Sequence, residues 1–173
     1  MIGEFSYLRH GLQYPIKSWK NKFLKRTYKQ SAMNTGLYEE VALEVAEYTN
    51  ESVDDVKRKH RAGFSLENSG SEFDDQRQEG LSEEKVRAFY ERCFFYIYEL
   101  PLWNAESNRP RMLVDIMRPY LKRFNCKSVL DVGGGAGDLC IEFKKNNFDP
   151  VYFDISEKLT EFSKWRFQRR GFH

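Results

Sequence analysis

The chain has 173 residues, of which 40% are hydrophobic and 16% aromatic, and its formal net charge is +2. This content is enough for one packed domain, or for a modest domain with a helical extension. No apolar run approaches the roughly 20 residues of a membrane-spanning helix, and no signal peptide is visible. The cysteines Cys93, Cys126 and Cys140 lack CxxC spacing, which disfavours a zinc site and a disulfide framework. The composition predicts a soluble, cytoplasmic protein.

Charge is unevenly distributed along the chain. Residues 1–30 carry seven Lys or Arg and one Glu, whereas 31–84 carry five Lys or Arg and fourteen Asp or Glu. Within the basic segment, 15–30 has the periodicity of a helix whose apolar face includes Ile16 and Trp19. We expect this segment to lie on the acidic part of its own domain. A membrane surface or another anionic partner is the alternative.

Two further helices are predicted in the acidic segment. Apolar residues recur every three or four positions from Leu37 to Tyr48, as in an amphipathic helix. Asn50 or Ser52 is suited to cap a second, shorter helix that ends at Gly63. Two helices joined by a short turn are also typical of a helix-turn-helix, but the first helix here is strongly acidic. The pattern therefore argues against DNA recognition.

The middle of the chain predicts a linker followed by two helices. The stretch 65–81 is polar, acidic and contains glycine, as a linker or mobile loop does. Ser82 is suited to cap the next helix, which we expect to end at Pro101, where a loop of eight residues begins. Another helix is predicted over 110–124, with Pro119 inside it. That proline predicts a kink or a split into two helices.

The last part of the chain has the pattern strand, glycine turn, helix, strand and helix. The apolar run 128–132 predicts a strand buried on both faces. A helix over 137–147 follows, with Asn147 at the position where glycine commonly ends a helix. A second strand is predicted at 151–153, and Ser156 is suited to cap the last helix. Together these elements form a βαβ unit, so the strands should be parallel.

Three glycines, Gly133, Gly135 and Gly137, lie at alternate positions between the first strand and its helix. Such a turn lets a ligand contact the main chain, and the following helix adds unpaired N–H groups. A phosphate-binding P-loop needs Lys and Ser or Thr after the last glycine, but Asp138 and Leu139 follow here. A dinucleotide fingerprint needs glycine where Asp138 stands. The P-loop is therefore excluded and the dinucleotide motif is disfavoured.

The remaining pattern is an acid, Asp131, followed by the three alternate glycines. With this spacing VLDVGGGAGD resembles the first motif of class I S-adenosylmethionine-dependent methyltransferases. VYFDIS is similar to the end of that family's second strand, and Asp154 matches the family's acidic residue there. The resemblance covers about 126–173. It implies an α/β fold in which a mostly helical region, 1–125, precedes the start of a Rossmann-like domain. The family often has glycine where this chain has Tyr152.

The resemblance implies a binding site for S-adenosyl-L-methionine. Asp131 would face the methionine amino group, Asp154 would accept the two ribose hydroxyls, and Ile155 would lie on the adenine. The glycine main chain would pass beside the methionine and ribose. The implied cofactor-binding residues are Asp131, Gly133, Gly134, Gly135, Gly137, Asp154 and Ile155. A strand-end acid can also be a helix cap, and a glycine turn can be a simple tight connection.

The resemblance implies a methyltransferase that acts on a small-molecule or glycan-type acceptor. Because only two strands are predicted, we expect the N-terminal portion of a longer enzyme, or completion by a second copy or another chain, and an incomplete, inactive chain by itself. In this family preceding helices often cover the acceptor pocket. The substrate-side candidates are Tyr90, Tyr98, Trp103 and Asn104, with core packing as the alternative for each.

Neither a catalytic base nor a metal site is assigned from the sequence. The histidines His10, His60 and His173 are scattered along the chain. The alternative function is a non-catalytic module with a methyltransferase-like fold that binds nucleic acid or serves as a scaffold, and the basic 15–30 segment motivates it.

Overall fold

The computed structural model describes residues 35–62, 82–92 and 95–172. Its elements, in chain order, are α1 (Thr35–Thr49), α2 (Val53–Arg61), α3 (Glu83–Arg92), α4 (Tyr96–Ser107), α5 (Arg109–Arg123), β1 (Ser128–Val132), α6 (Asp138–Lys145), β2 (Asp149–Phe153) and α7 (Glu157–Arg169). The predictions for 15–30 and 65–81 lie outside the described residues. None of the helices described is long and apolar enough to cross a membrane.

Serine side chains begin three of the helices. Ser52, Ser82 and Ser156 each accept a hydrogen bond from the backbone N–H three residues further on, at 3.1, 3.2 and 3.4 Å. Each hydroxyl satisfies one of the N–H groups that the first helical turn leaves unpaired. These caps confirm the predicted starts of α2, α3 and α7.

Asparagine in the left-handed conformation follows several helices. The residues are Asn50, Asn108, Asn125 and Asn147, with φ of 55°, 49°, 51° and 63°. Asparagine tolerates this region better than most residues. After α6 the N–H of Phe148 donates to the carbonyl of Phe143 at 3.1 Å, which closes the helix end in a Schellman-type pattern. The expectation for Asn147 is confirmed.

The predicted helix end at Pro101 is wrong, and of the two alternatives predicted for Pro119, a kink or a split, the split is wrong. Pro101 does not end a helix, because α4 begins at Tyr96 and continues through the predicted loop. Its ring forgoes only one helical hydrogen bond, and burial of Leu102 in the core favours the continued helix. Pro119 does not split α5. It lies with Asp115 on the exposed side, where water can bond the carbonyl that proline leaves unpaired.

The two strands form a parallel two-stranded sheet, as predicted for a βαβ unit. The register pairs Ser128 with Asp149 at one end and Val132 with Phe153 at the other. Helix α6 connects them and packs against both. The fold among the described residues is therefore mixed, a set of helices with a small parallel sheet.

The prediction that the first strand is buried on both faces is wrong. Both strands alternate between exposed and partly buried residues. The exposed side chains are apolar ones, Leu130, Val132, Val151 and Phe153. Because α6 covers only the opposite face, the described residues leave this face open, although its composition is typical of a covered strand.

Among the described residues, most of the buried apolar side chains form two clusters. The larger joins α1, α2, α4 and α7, and it includes Ala136 from the glycine turn. The smaller contains Val114, Phe143 and Phe148 and connects α5, α6 and the start of β2. The glycine turn is thus anchored in the helical core as well as in the sheet.

Candidate functional site

The glycine turn connects β1 to α6 at the carboxyl ends of the two strands. The N–H groups of Gly133 and Gly134 donate to the carbonyl of Phe153 at 2.9 and 3.1 Å, so hydrogen bonding between the strands continues into the turn. The φ angles of Gly133, Gly135 and Gly137 are +73°, +54° and +75°. Residues that carry a side chain rarely adopt these conformations.

Asp154, just after β2, lies against the turn. Its Oδ2 accepts a hydrogen bond from the N–H of Gly135 at 2.8 Å, and its Oδ1 accepts one from the N–H of Ser156 at 2.9 Å. A carboxylate offers about four acceptor positions, so both oxygens can accept further donors. The next residue, Ile155, is partly exposed. The two sequence motifs therefore meet at one edge of the sheet.

Tyr152 supports the turn from the helix-covered side of the sheet. Its hydroxyl donates to the carbonyl of Gly135 at 2.7 Å, and the Ser163 hydroxyl donates to the same carbonyl at 2.8 Å. A Cβ at Gly134 would lie 2.6 Å from the Tyr152 ring. Burial raises the pKa of Tyr152 to about 12, so the phenol keeps its proton and acts as a donor. A tyrosine at position 152 therefore leaves no room for a side chain at position 134.

Asp131 lies beneath the turn, half-buried on the same face as Tyr152. The Cys140 thiol donates to its Oδ2 at 3.5 Å. Burial raises the pKa of the Asp131 carboxyl, and the charges of Asp154 and Asp138 add to the effect. Burial and Asp131 also raise the pKa of Cys140 to about 12, so this thiol stays protonated at neutral pH. Among the residues described, Asp131 has no Lys or Arg as an ion-pair partner, so a nearby positive charge would favour its ionised form.

Arg166 of α7 contacts the turn directly. Its Nη1 donates to the carbonyl of Ala136 at 2.5 Å and to Asp138 Oδ1 at 2.7 Å, and its Nε donates to Glu44 Oε2 at 3.0 Å. Arg166, Glu44 and Asp138 are not among the site residues predicted from the sequence. Glu44 lies 122 residues before Arg166, and no local pattern signals their pairing.

One side of the turn is covered and the other is open. A Cβ at Gly135 would meet Leu100 of α4 at 2.9 Å, and one at Gly137 would meet Phe167 of α7 at 2.7 Å. A Cβ at Gly133 would meet no atom of the described residues within 4 Å. A ligand can therefore approach the main chain at Gly133 more closely than at the later glycines.

Two of the substrate-side candidates lie in or beside the helical core. Asn104 Nδ2 donates to Asp138 Oδ2 at 3.0 Å, which places Asn104 at the start of α6 beside the turn. Tyr98 is 5% exposed, and its hydroxyl donates to Glu51 Oε1 at 2.6 Å. Asn104 therefore contacts the residue that begins α6 beside the turn.

The other two candidates lie nearer the surface. Trp103 is 45% exposed, with the Arg109 guanidinium 5.1 Å from its ring centroid. Tyr90 precedes Glu91, whose carboxylate accepts a hydrogen bond from the N–H of Glu157 at 2.9 Å. Helix α3 therefore contacts the start of α7, close to the carboxyl end of β2.

Within the described ranges, no group of three His, Cys, Asp or Glu side chains is arranged to hold a metal ion. Comparisons with protein-family models, with curated proteins and with solved structures found no match to this chain. Any assignment of function therefore depends on the residues of the turn and of the strand ends.

Proposed function

We propose that the glycine turn and Asp154 bind S-adenosyl-L-methionine, and that the protein is a class I methyltransferase with a Rossmann-like domain and a small-molecule or glycan-type acceptor. The observation that carries the proposal is the 2.8 Å hydrogen bond from the Gly135 N–H to Asp154 Oδ2. It joins the two motifs at the carboxyl edge of parallel strands, where α/β proteins commonly bind nucleotides.

The charge around the turn favours a cationic ligand. Among the residues described, no Lys or Arg forms an ion pair with Asp131 or Asp154, whereas Asp138 is paired with Arg166. Burial makes the ionised form of Asp131 costly, and a nearby positive charge would offset that cost. An ammonium and a sulfonium meet this requirement, whereas a polyphosphate would be repelled. The residues present therefore fit the adenosyl cofactor.

The chain's own residues would hold and orient the cofactor. Asp154 would accept the ribose hydroxyls with the acceptor positions that its two backbone donors leave free. Gly133 offers open main chain, and Asp131 supplies negative charge beneath Gly134. When bound, S-adenosylmethionine supplies a methyl group on its sulfonium. Positioning of that group toward the acceptor would provide much of the rate acceleration.

On the acceptor side, the contacts favour α4. Asn104 contacts Asp138 at the start of α6, and Leu100 packs over Gly135. Both residues belong to a helix that covers the turn. Among the substrate-side candidates Asn104, Tyr90, Tyr98 and Trp103, we therefore propose Asn104 as the residue that contacts the acceptor.

Calorimetric titration with S-adenosylhomocysteine tests the proposal. We expect saturable binding by the full chain and a loss of affinity of about tenfold or more in Asp154→Asn, because a charged hydrogen-bond acceptor is removed. Asp149→Asn is the matched control. Asp149 begins β2, the strand that Asp154 follows; it is exposed and pairs with Lys144 at 2.9 Å, away from the turn.

The test compares the affinities of the wild type, Asp154→Asn and Asp149→Asn for S-adenosylhomocysteine. Binding that is weakened by Asp154→Asn and unchanged by Asp149→Asn supports the proposal. No binding by the folded wild type, or equal affinity in wild type and Asp154→Asn, rejects it.

A further inference from the structure

A buried arginine joins the glycine turn to the first described helix. The Arg166 side chain is 1% exposed and lies between Glu44 of α1 and Asp138 at the start of α6. Burial by itself would lower the pKa of the Arg166 guanidinium, but Asp138 and Glu44 outweigh that effect and raise the pKa. The guanidinium is therefore charged inside the protein.

At one end, the guanidinium binds the part of the turn between Gly135 and Gly137, where the backbone has the most conformational freedom. Arg166 Nη1 donates to the carbonyl of Ala136 at 2.5 Å and to Asp138 Oδ1 at 2.7 Å. Ala136 lies between Gly135 and Gly137, which both have positive φ. The two acceptors thus fix the direction of the peptide between these flexible positions.

At the other end, a carboxylate holds the guanidinium. Glu44 Oε2 accepts from Arg166 Nε at 3.0 Å and from Arg170 Nη2 at 3.0 Å, and Arg170 Nη1 donates to Oε1. Burial would raise the pKa of the Glu44 carboxyl, but the hydrogen bond from Arg170 and the charges of Arg166 and Arg170 outweigh it and lower the pKa. Both charges of the pair are present at neutral pH.

The energetics of this buried ion pair indicate that Arg166 has a geometric role. Removing two charges from water costs several kcal/mol per ion, and well-packed apolar residues often stabilise a core as well as an ion pair does. A guanidinium adds planar donors in fixed directions, which can orient a carbonyl and a carboxylate together. We propose that Arg166 is a positioning residue that sets the conformation of the glycine turn, and that Glu44 on α1 holds Arg166 for this purpose.

The structure supplies a matched pair of substitutions. Glu44→Gln changes a residue whose described ionic contacts are Arg166 and Arg170, so its effect on the turn must pass through α7. Glu47→Gln makes the same change on α1, where Glu47 pairs with Arg169 of α7 at 2.6 Å with both side chains about half exposed. The control therefore breaks an α1–α7 ion pair that does not reach the turn.

The readout is amide hydrogen exchange without added ligand. We expect Glu44→Gln to speed exchange at Gly135 and Gly137 by about tenfold, the equivalent of one charge-assisted hydrogen bond, relative to amides within the sheet. Glu47→Gln should leave these rates unchanged. Arg166→Lys, which keeps the charge but loses the planar fork, should speed exchange at the same amides and keeps the test available if Glu44→Gln does not fold.

Two outcomes overturn the proposal. One is exchange at Gly135 and Gly137 that matches wild type in both Glu44→Gln and Arg166→Lys. The other is exchange that rises equally at the turn and in the sheet, which a purely stabilising ion pair would produce.

The proposal that Arg166 positions the turn rests on the proposed function only for the identity of the ligand that the turn binds. We expect Glu44→Gln to weaken S-adenosylhomocysteine binding by about tenfold and Glu47→Gln to leave it unchanged. If the wild type does not bind this ligand, the proposed function fails, while the exchange rates still decide whether Arg166 positions the turn. If the wild type binds and Glu44→Gln binds equally well, the positioning proposal fails alone.

Discussion

Gly134→Ala tests the fit between the glycine turn and Tyr152. Gly134 does not need positive φ, so the expected cost is steric. Its added Cβ would lie 2.6 Å from Cδ2 and Cε2 of the Tyr152 ring and 3.2 Å from Asp131 Oδ2. Carbon atoms attract best at about 3.5–4.0 Å, so the ring must move by about 1 Å.

That movement has two consequences for stability. Overpacking a filled site costs about 1–3 kcal/mol. Loss of the 2.7 Å hydrogen bond from the Tyr152 hydroxyl to Gly135 adds about 1 kcal/mol. We therefore expect Gly134→Ala to lower the free energy of unfolding by about 2–4 kcal/mol. Gly133→Ala is the control for strain without a clash, and we expect it to cost about 1 kcal/mol from its positive φ.

Urea unfolding followed by circular dichroism measures these differences. A double-mutant cycle with Tyr152→Ala identifies the cause, because alanine at 152 leaves room for the new Cβ. The cost of Gly134→Ala should then fall below about 1 kcal/mol. If Gly134→Ala is no more destabilising than Gly133→Ala, or if its cost persists in the Tyr152→Ala background, the steric reasoning is wrong.

Three further predictions follow from the helix end, the buried ion pair and the acid beneath the turn. Asn147→Ala should destabilise the fold by about 1 kcal/mol and Asn147→Gly should not, because φ is 63° there; urea unfolding measures both. The lowered pKa of Glu44 stabilises the fold above the usual value of 4.5, so the stability difference between wild type and Glu44→Gln should shrink as pH falls below it, and a constant difference would contradict this. The raised pKa of Asp131 means that binding an ammonium group beside it favours proton release, so affinity for S-adenosylhomocysteine, through its α-ammonium group, should increase as pH rises above 3.8, and Asp131→Asn should remove that dependence in calorimetry.

Local signals in the sequence predicted much of the second half of the chain. Serine caps, the asparagine after α6 and the glycines between strand and helix each act within a few residues, so their effect is visible in one stretch. The parallel pairing also followed, because a strand, helix and strand of these lengths allow few alternatives. These features predict that Asp154 lies beside the turn.

The errors came from effects that act over long distances in the sequence. Pro101 stays helical because Leu102 and Ala105 pack into the core with residues of α1 and α7. The strands are exposed on one face because helix packing among the described residues covers only the other. In both cases contacts with residues distant in the sequence overrode the structure that the local sequence favours.

The same limit explains why Arg166 was missed. A single arginine at the end of an amphipathic helix is typical of an exposed residue near the carboxyl terminus of that helix. Its burial depends on Glu44 and Asp138, which belong to two other helices. Tyr152 departs from the methyltransferase motif that this stretch of sequence resembles, but its hydrogen bond to Gly135 depends on the turn geometry.

The most direct measurement of the central claim is an NMR titration of the ¹⁵N-labelled chain with S-adenosylhomocysteine. The account predicts that the largest amide shifts occur at Gly133, Gly134, Gly135, Asp154 and Ile155, and that they saturate together. Shifts that saturate elsewhere and leave the glycine turn unchanged, or no shifts in the folded protein at high ligand concentration, would contradict it.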